Sequence, residues 1–69
     1  TLVKDVVNIL SEDNISSVTI HAVGGVKVYH SEEHDNSIQI EMSDFSDGTY
    51  IVTVITEDGD VVVSYIVKT

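Results

Sequence analysis

The sequence has no cysteine, no proline and no tryptophan, and only three basic residues. Without cysteine, neither a disulfide nor a thiolate metal centre can staple so small a chain. Lys4, Lys27 and Lys68 stand against 12 Asp and Glu, a formal charge of −9. Such a surface repels phosphate backbones and anionic membranes, which argues against nucleic-acid and lipid-surface binding. No apolar run approaches the roughly 20 residues of a membrane-spanning helix. No basic segment leads into an apolar one at the start, so an export signal is expected upstream or already removed. Disorder is excluded from the other side, because an apolar content of 42% is far above that of unfolded chains. With 69 residues there is one small domain and no room to enclose a substrate.

What the sequence has in quantity is Val, Ile, Thr and Tyr, residues that suit a pleated surface. Five or six strands are expected, over residues 3–10, 17–22, 26–31, 37–42, 49–56 and 60–68. Glycines at Gly24-Gly25, Gly48 and Gly59 and most of the acids fall between them. Short strands broken by turn residues at this spacing predict an all-β antiparallel sandwich. Residues 1–69 are expected to form a single domain at the end of a longer secreted protein.

The two glycine-bearing turns set the expected registers. A three-residue loop Val23-Gly24-Gly25, with Gly25 left-handed in a bulge, pairs Ala22 with Val26, Ile20 with Val28 and Val18 with His30. Asp58-Gly59 reads as a two-residue hairpin loop, pairing Thr56 with Val61, Val54 with Val63, Val52 with Tyr65 and Tyr50 with Val67. The opposite side of that last hairpin would then carry Ile51, Ile55, Val62 and Ile66. Strands apolar on both sides are either covered twice or expose a docking face, and a chain this short has little to cover them with. That face is the expected docking surface, and a dimer through the last hairpin is a further expectation.

Candidates for chemistry are weaker. His30-Ser31-Glu32-Glu33-His34 has the H-x-x-E-H spacing of inverted zinc proteases, but that chemistry needs a helix to bring both histidines to one face. Here the segment reads as a strand end running into an acidic turn. Asp44, Asp47, Asp58 and Asp60 lack the spacing of a calcium loop, and Asp-Gly is turn chemistry first. Asn14-Ile15-Ser16 is formally a glycosylation sequon, a pattern frequent by chance. No glycine-framed serine elbow is present. No catalytic residue, metal ligand or cofactor is therefore assigned. Asp47-Gly48-Thr49-Tyr50 is more informative. A tyrosine opening a strand two residues after a glycine resembles the tyrosine corner of immunoglobulin-like sandwiches, with Val52 where such domains place a disulfide cysteine.

Taken in order, three segments resemble the C-terminal sorting domain of type IX secretion cargo from the Bacteroidetes, a likeness spanning residues 5–68. Asp5-Val6-Val7-Asn8-Ile9 resembles its opening strand. Val18-Thr19-Ile20-His21-Ala22-Val23-Gly24-Gly25-Val26-Lys27-Val28 resembles its first hairpin, with Gly25 at the characteristic glycine. Ile40-Glu41-Met42-Ser43-Asp44-Phe45-Ser46-Asp47-Gly48-Thr49-Tyr50-Ile51-Val52-Thr53-Val54 resembles its strongest motif, leading into Gly-x-Tyr. The chain departs from the family in lacking Asn-Pro ahead of the first strand and in offering only Lys68 as a base in the last one. The resemblance implies an immunoglobulin-like sandwich of six to seven short strands that catalyses nothing. It implies an address at the end of a cargo fused in cis, read by the type IX translocon and often cut by a sortase-like peptidase. The implied route runs through the periplasm to the cell surface or medium. Gly25, Gly48 and Tyr50 are expected to hold the fold, and Ile51, Ile55, Val62, Ile66, Val67, Lys68 and Thr69 to dock. A stand-alone secreted module binding protein or glycan is the alternative.

Overall fold

The structure, a computed structural model, describes residues 2–69. Five strands follow one another: β1 (Leu2–Val3), β2 (Val6–Ala22), β3 (Lys27–Glu41), β4 (Gly48–Thr56) and β5 (Val61–Lys68). They form one sheet in the order β1-β5-β4-β2-β3, and every pairing except the parallel β1–β5 contact is antiparallel. The all-β class matches the sequence expectation. The sandwich of six to seven separate strands does not, because the chain builds a single continuous sheet.

The difference lies in β2 and β3, each read from the sequence as two strands. The polar stretch Ser11-Glu12-Asp13-Asn14 looks like a turn, yet the backbone stays extended through it and yields by register shifts between Leu10 and Ile15 and between Ile15 and Ser17. A bulge bends and twists a strand without ending it. Residues 15–22 of β2 pair with β4 on one side, while residues 6–10 pair only with the far half of β3. Ile38 and Ile40 from that far half lie in the same buried cluster as Val52, Val54 and Ile66 of β4 and β5. The bent sheet thus supplies its own cover, with Val7 and Ile9 packed against the cluster from β2. Met42 N–H donates to the Asp5 carbonyl at 2.6 Å, extending this ladder past the end of β3.

The first hairpin has the expected loop. Ala22 N–H donates to Val26 O, Gly25 N–H donates to Ala22 O, and Gly25 has φ +99°. A second irregularity follows at once, since His21 faces Lys27 but Ile20 faces Tyr29. Val28 is the extra residue. Ile20 and Val18 therefore oppose Tyr29 and Ser31, not Val28 and His30. Val26 and Val28 are exposed, and Tyr29 packs on the core in their place.

The last hairpin departs further. Thr56 N–H donates to Asp60 O, Gly59 N–H donates to Thr56 O, and Gly59 is left-handed at φ +94°. The loop is therefore three residues, Glu57-Asp58-Gly59, with the same bulged geometry as the first. Thr56 fixes it, accepting the Asp60 N–H on its hydroxyl at 3.1 Å and donating to the Asp58 carboxylate. The added residue slips β5 by one against expectation: Tyr50 faces Ile66, Val52 faces Ser64 and Val54 faces Val62. A one-residue slip turns every side chain to the other side of the sheet.

Candidate functional site

The slip decides what the final hairpin shows to solvent. Ile66, expected on the docking face, is 4% exposed and sits in the core with Tyr50, Val52 and Val54. Val62 shares its side of β5, so the expected face of Ile51, Ile55, Val62 and Ile66 does not exist as one surface. Ile51 and Ile55 stay outside, where β5 now brings Val61, Val63, Tyr65 and Val67 beside them. Val61, Val63 and Tyr65 are each more than half exposed, Tyr65 at 64%. Across β4 the outer face turns polar, since Thr53 faces Thr19 and Ile51 faces His21. An apolar band thus lies along β5, bordered by a polar rim, the pattern of an interaction surface. Sequence reasoning places an apolar outer face on the right hairpin but names only half of its residues, because the hairpin is apolar on both sides and the register is what sorts them.

On the inner side, Val62 and Ser64 remain exposed because the bent half of β2 stops short of covering them. They line a cleft of about 290 Å³ together with Val7, Ile9, Val52, Val54 and Ile66. Leu10 stands at its lip, 79% exposed.

The end of β5 is held from both sides. Val67 and Lys68 pair with Leu2 and Val3 on one edge, and with Thr49 and Gly48 on the other. Lys68 is only 7% exposed, with Nζ 3.9 Å from the Asp47 carboxylate and 3.3 Å from the Thr69 carbonyl. Of the expected terminal docking residues, Val67 and Thr69 are open to solvent, and Lys68 offers little of its side chain.

The Gly-x-Tyr segment behaves as its chemistry suggests. The Tyr50 hydroxyl donates to the Ser46 carbonyl at 2.6 Å, and its ring lies 5.6 Å from that of Phe45. Gly48 adopts φ +150°, a region open to glycine and poor for other residues. Phe45 N–H donates to Met42 O, so the crossover from β3 to β4 is tied at both ends. Val52, at the cysteine-like position, is buried.

The histidines do not form a metal centre. In extended β3, His30 and His34 stand roughly 13 Å apart along the strand. His30 Nδ1 meets Thr19 Oγ1 at 2.9 Å and its Nε2 lies 3.4 Å from Glu32, whereas His34 points to Glu57 at 3.5 Å. Among the described residues, the acids that gather are Asp13, Asp58 and Asp60, all exposed, with carboxylate oxygens within 4.8 Å of one another. Asp44 and Asp47 are not among them. Asp13 escapes a reading of the sequence because only the bend in β2 carries it there: Ile15 faces Thr56, and Glu57 N–H donates to Asn14 O.

That acidic corner is repulsive. The Asp58 charge, followed by some desolvation, pushes the Asp13 carboxyl above its ordinary range. Asp58 is held below its own range, first by the Thr56 hydroxyl. An acid with a raised folded pKa weakens the fold above the ordinary carboxylate range, and the penalty disappears as it is protonated. Asp13→Asn should therefore raise the denaturation midpoint near neutral pH, and the gain should vanish as the pH falls through the carboxylate range. Asp58 runs the other way, since its stabilising contribution is lost as pH falls through its lowered pKa. Urea melts of both chains across this pH range test the sign; an equal gain in acid and at neutrality would remove the repulsion.

The family model described as a secretion system C-terminal sorting domain matches residues 3–68. The chain belongs to this family. That is the type IX secretion sorting domain, and its members serve as targeting modules. No curated protein and no solved structure is matched. Sorting domains of this kind act in export to the cell surface or medium. No helix among the described residues is long and apolar enough to cross a membrane.

Proposed function

We propose that this sorting domain is a non-catalytic address at the end of a longer secreted cargo. It directs that cargo from the periplasm through the type IX translocon to the surface or medium, where a sortase-like peptidase removes it. The family match across residues 3–68 carries the reading. The apolar band on the outer face of β4 and β5 supports it, because a signal read by another protein needs an exposed surface that the fold does not consume. Ile51, Ile55 and Val67, joined by Val61, Val63 and Tyr65, form the docking face together with the terminal Lys68 and Thr69. Val62 and Ile66 act through the fold, as lining and core.

A reporter carrying residues 1–69 at its C-terminus, expressed in a type IX-competent host, should reach the surface. Removing Val67, Lys68 and Thr69 should strand it in the periplasm. Since that deletion also strips β1 of its partner, Ile55→Lys on the exposed face provides the second arm: a folded domain that is no longer exported. Retention of the intact fusion, or normal export of both variants, would overturn the proposal.

A further inference from the structure

The two edges of the sheet are protected unequally. β3, at one edge, carries Lys27, Glu32, Glu33, His34, Asp35 and Glu41. Charges of this kind along an edge discourage a foreign strand. At the other edge, β1 covers β5 only at Val67 and Lys68, through Leu2 and Val3. A strand of two residues is short, since about five or six is usual. Ahead of that contact, Val61-Val62-Val63-Ser64-Tyr65 has no charge, no proline and no glycine. Among the described residues its outer edge pairs with no strand. The same flank is open on the inner side, where Val62 and Ser64 share a cleft with residues 7–10 of β2 and Leu10 stands exposed at the lip.

We infer that the chain leading into the domain continues β1 backward along β5, so that the residues ahead of Leu2 complete the sheet and wall the open flank of the cleft. The direction is already set, because β1 and β5 run parallel with Leu2 opposite Val67 and Val3 opposite Lys68. In that register the second to sixth residues before Leu2 fall opposite Tyr65, Ser64, Val63, Val62 and Val61 in turn. Residues opposite one another in a sheet share a side, and successive residues alternate. The third and fifth residues before Leu2 therefore point inward with Ser64 and Val62, and apolar side chains there cover the cleft. The second, fourth and sixth lie outside, beside Tyr65, Val63 and Val61, and widen the apolar band. The sixth reaches the start of β5, so the pairing uses the whole of the open edge. It needs no further loop closure, because the segment is covalently continuous with a strand already in place. For the same reason it outcompetes a strand from another molecule. The inference rests on the proposed role in one respect only, that a cargo chain leads into the domain.

Hydrogen exchange read by mass spectrometry, on the full-length chain and on residues 1–69 alone, tests the pairing. With its preceding chain attached, the segment Val61 to Tyr65 should exchange more slowly by about tenfold or more. Proline at both the third and the fourth position before Leu2 should abolish the difference. Adjacent residues of a strand turn their N–H groups to opposite sides, so one of the two prolines removes a donor to β5. Both lie outside the residues that make the fold, and the rest of the domain should keep its protection. The encoded sequence should place apolar residues at the third and fifth positions. Equal exchange of Val61 to Tyr65 in the two chains overturns the inference, as does protection that survives the double proline. Charged residues at both inward positions would overturn it as well. None of these outcomes touches the address, which is read from export of a reporter fused to residues 1–69. A reading frame with no chain ahead of the domain would end both.

Discussion

Ile66→Ala is expected to remove most of the stability of this domain. Ile66 is among the buried residues, opposite Tyr50 and in one cluster with Val52 and Val54. Cutting a buried isoleucine back to alanine costs about 2–5 kcal/mol, from lost transfer energy plus the cavity left behind. A domain of this length has only about 3–10 kcal/mol in total. Val63→Ala and Val67→Ala, on the outer face, should each change stability by about 0.5 kcal/mol or less. Chemical denaturation of the three variants reads the register of β5 directly. The two-residue loop expected from Asp58-Gly59 would put Val63 and Val67 inside and Ile66 outside, reversing the order of the costs. A Val63→Ala loss larger than that of Ile66→Ala would return the hairpin to that register.

Tyr50 carries the second large effect, and it divides into two parts. Tyr50→Phe removes only the hydroxyl that donates to Ser46 O, a loss of about 1 kcal/mol for one intramolecular hydrogen bond. Tyr50→Ala also empties the space of a buried ring and ends its contact with Phe45, for about 3–5 kcal/mol in all. Both are measurable as denaturation midpoints at constant slope. Tyr50→Phe as stable as the parent would show that the corner bond adds nothing beyond what water offers the Ser46 carbonyl. The ring, not the bond, would then account for a tyrosine at this place.

The two hairpins show where a sequence pattern is sufficient and where it stops. In the first, polar residues alternate with apolar ones, so only a three-residue loop sorts them, and Gly25 is legible as its left-handed residue. The bulge at Val28 is not, because Val28 and Tyr29 are both apolar enough to face inward, and packing chooses the larger ring. In the last hairpin the pattern does not choose a register. Val61, Val62 and Val63 are interchangeable on either side, and Asp-Gly suits a two-residue turn as well as the end of a bulged one. The Thr56 hydroxyl, bonded to Asp60 N–H and to the Asp58 carboxylate, tips the balance, and such a side-chain contact has no signature in alternation. Tyr50 and Gly48 are legible for the opposite reason: corner geometry demands particular residue types at fixed spacing. The merging of the first two expected strands into the long bent β2 is hidden in Ser11-Glu12-Asp13-Asn14, whose composition is that of a turn while its backbone remains a strand.

The parallel contact between β1 and β5 joins the first described residues to nearly the last. Leu2 lies against Val67 and Val3 against Lys68, so this part of the sheet spans almost the whole domain. A pairing between such distant residues must meet the loop-closure entropy of everything between them, which places it late in folding. A growing chain that has not yet reached Ile66 lacks a core side chain, and one that has not reached Lys68 lacks the partner of Val3. The domain therefore closes only once the polypeptide through Lys68 has been made. A chain cut short within β5 would lack both a core side chain and the contact that closes the sheet.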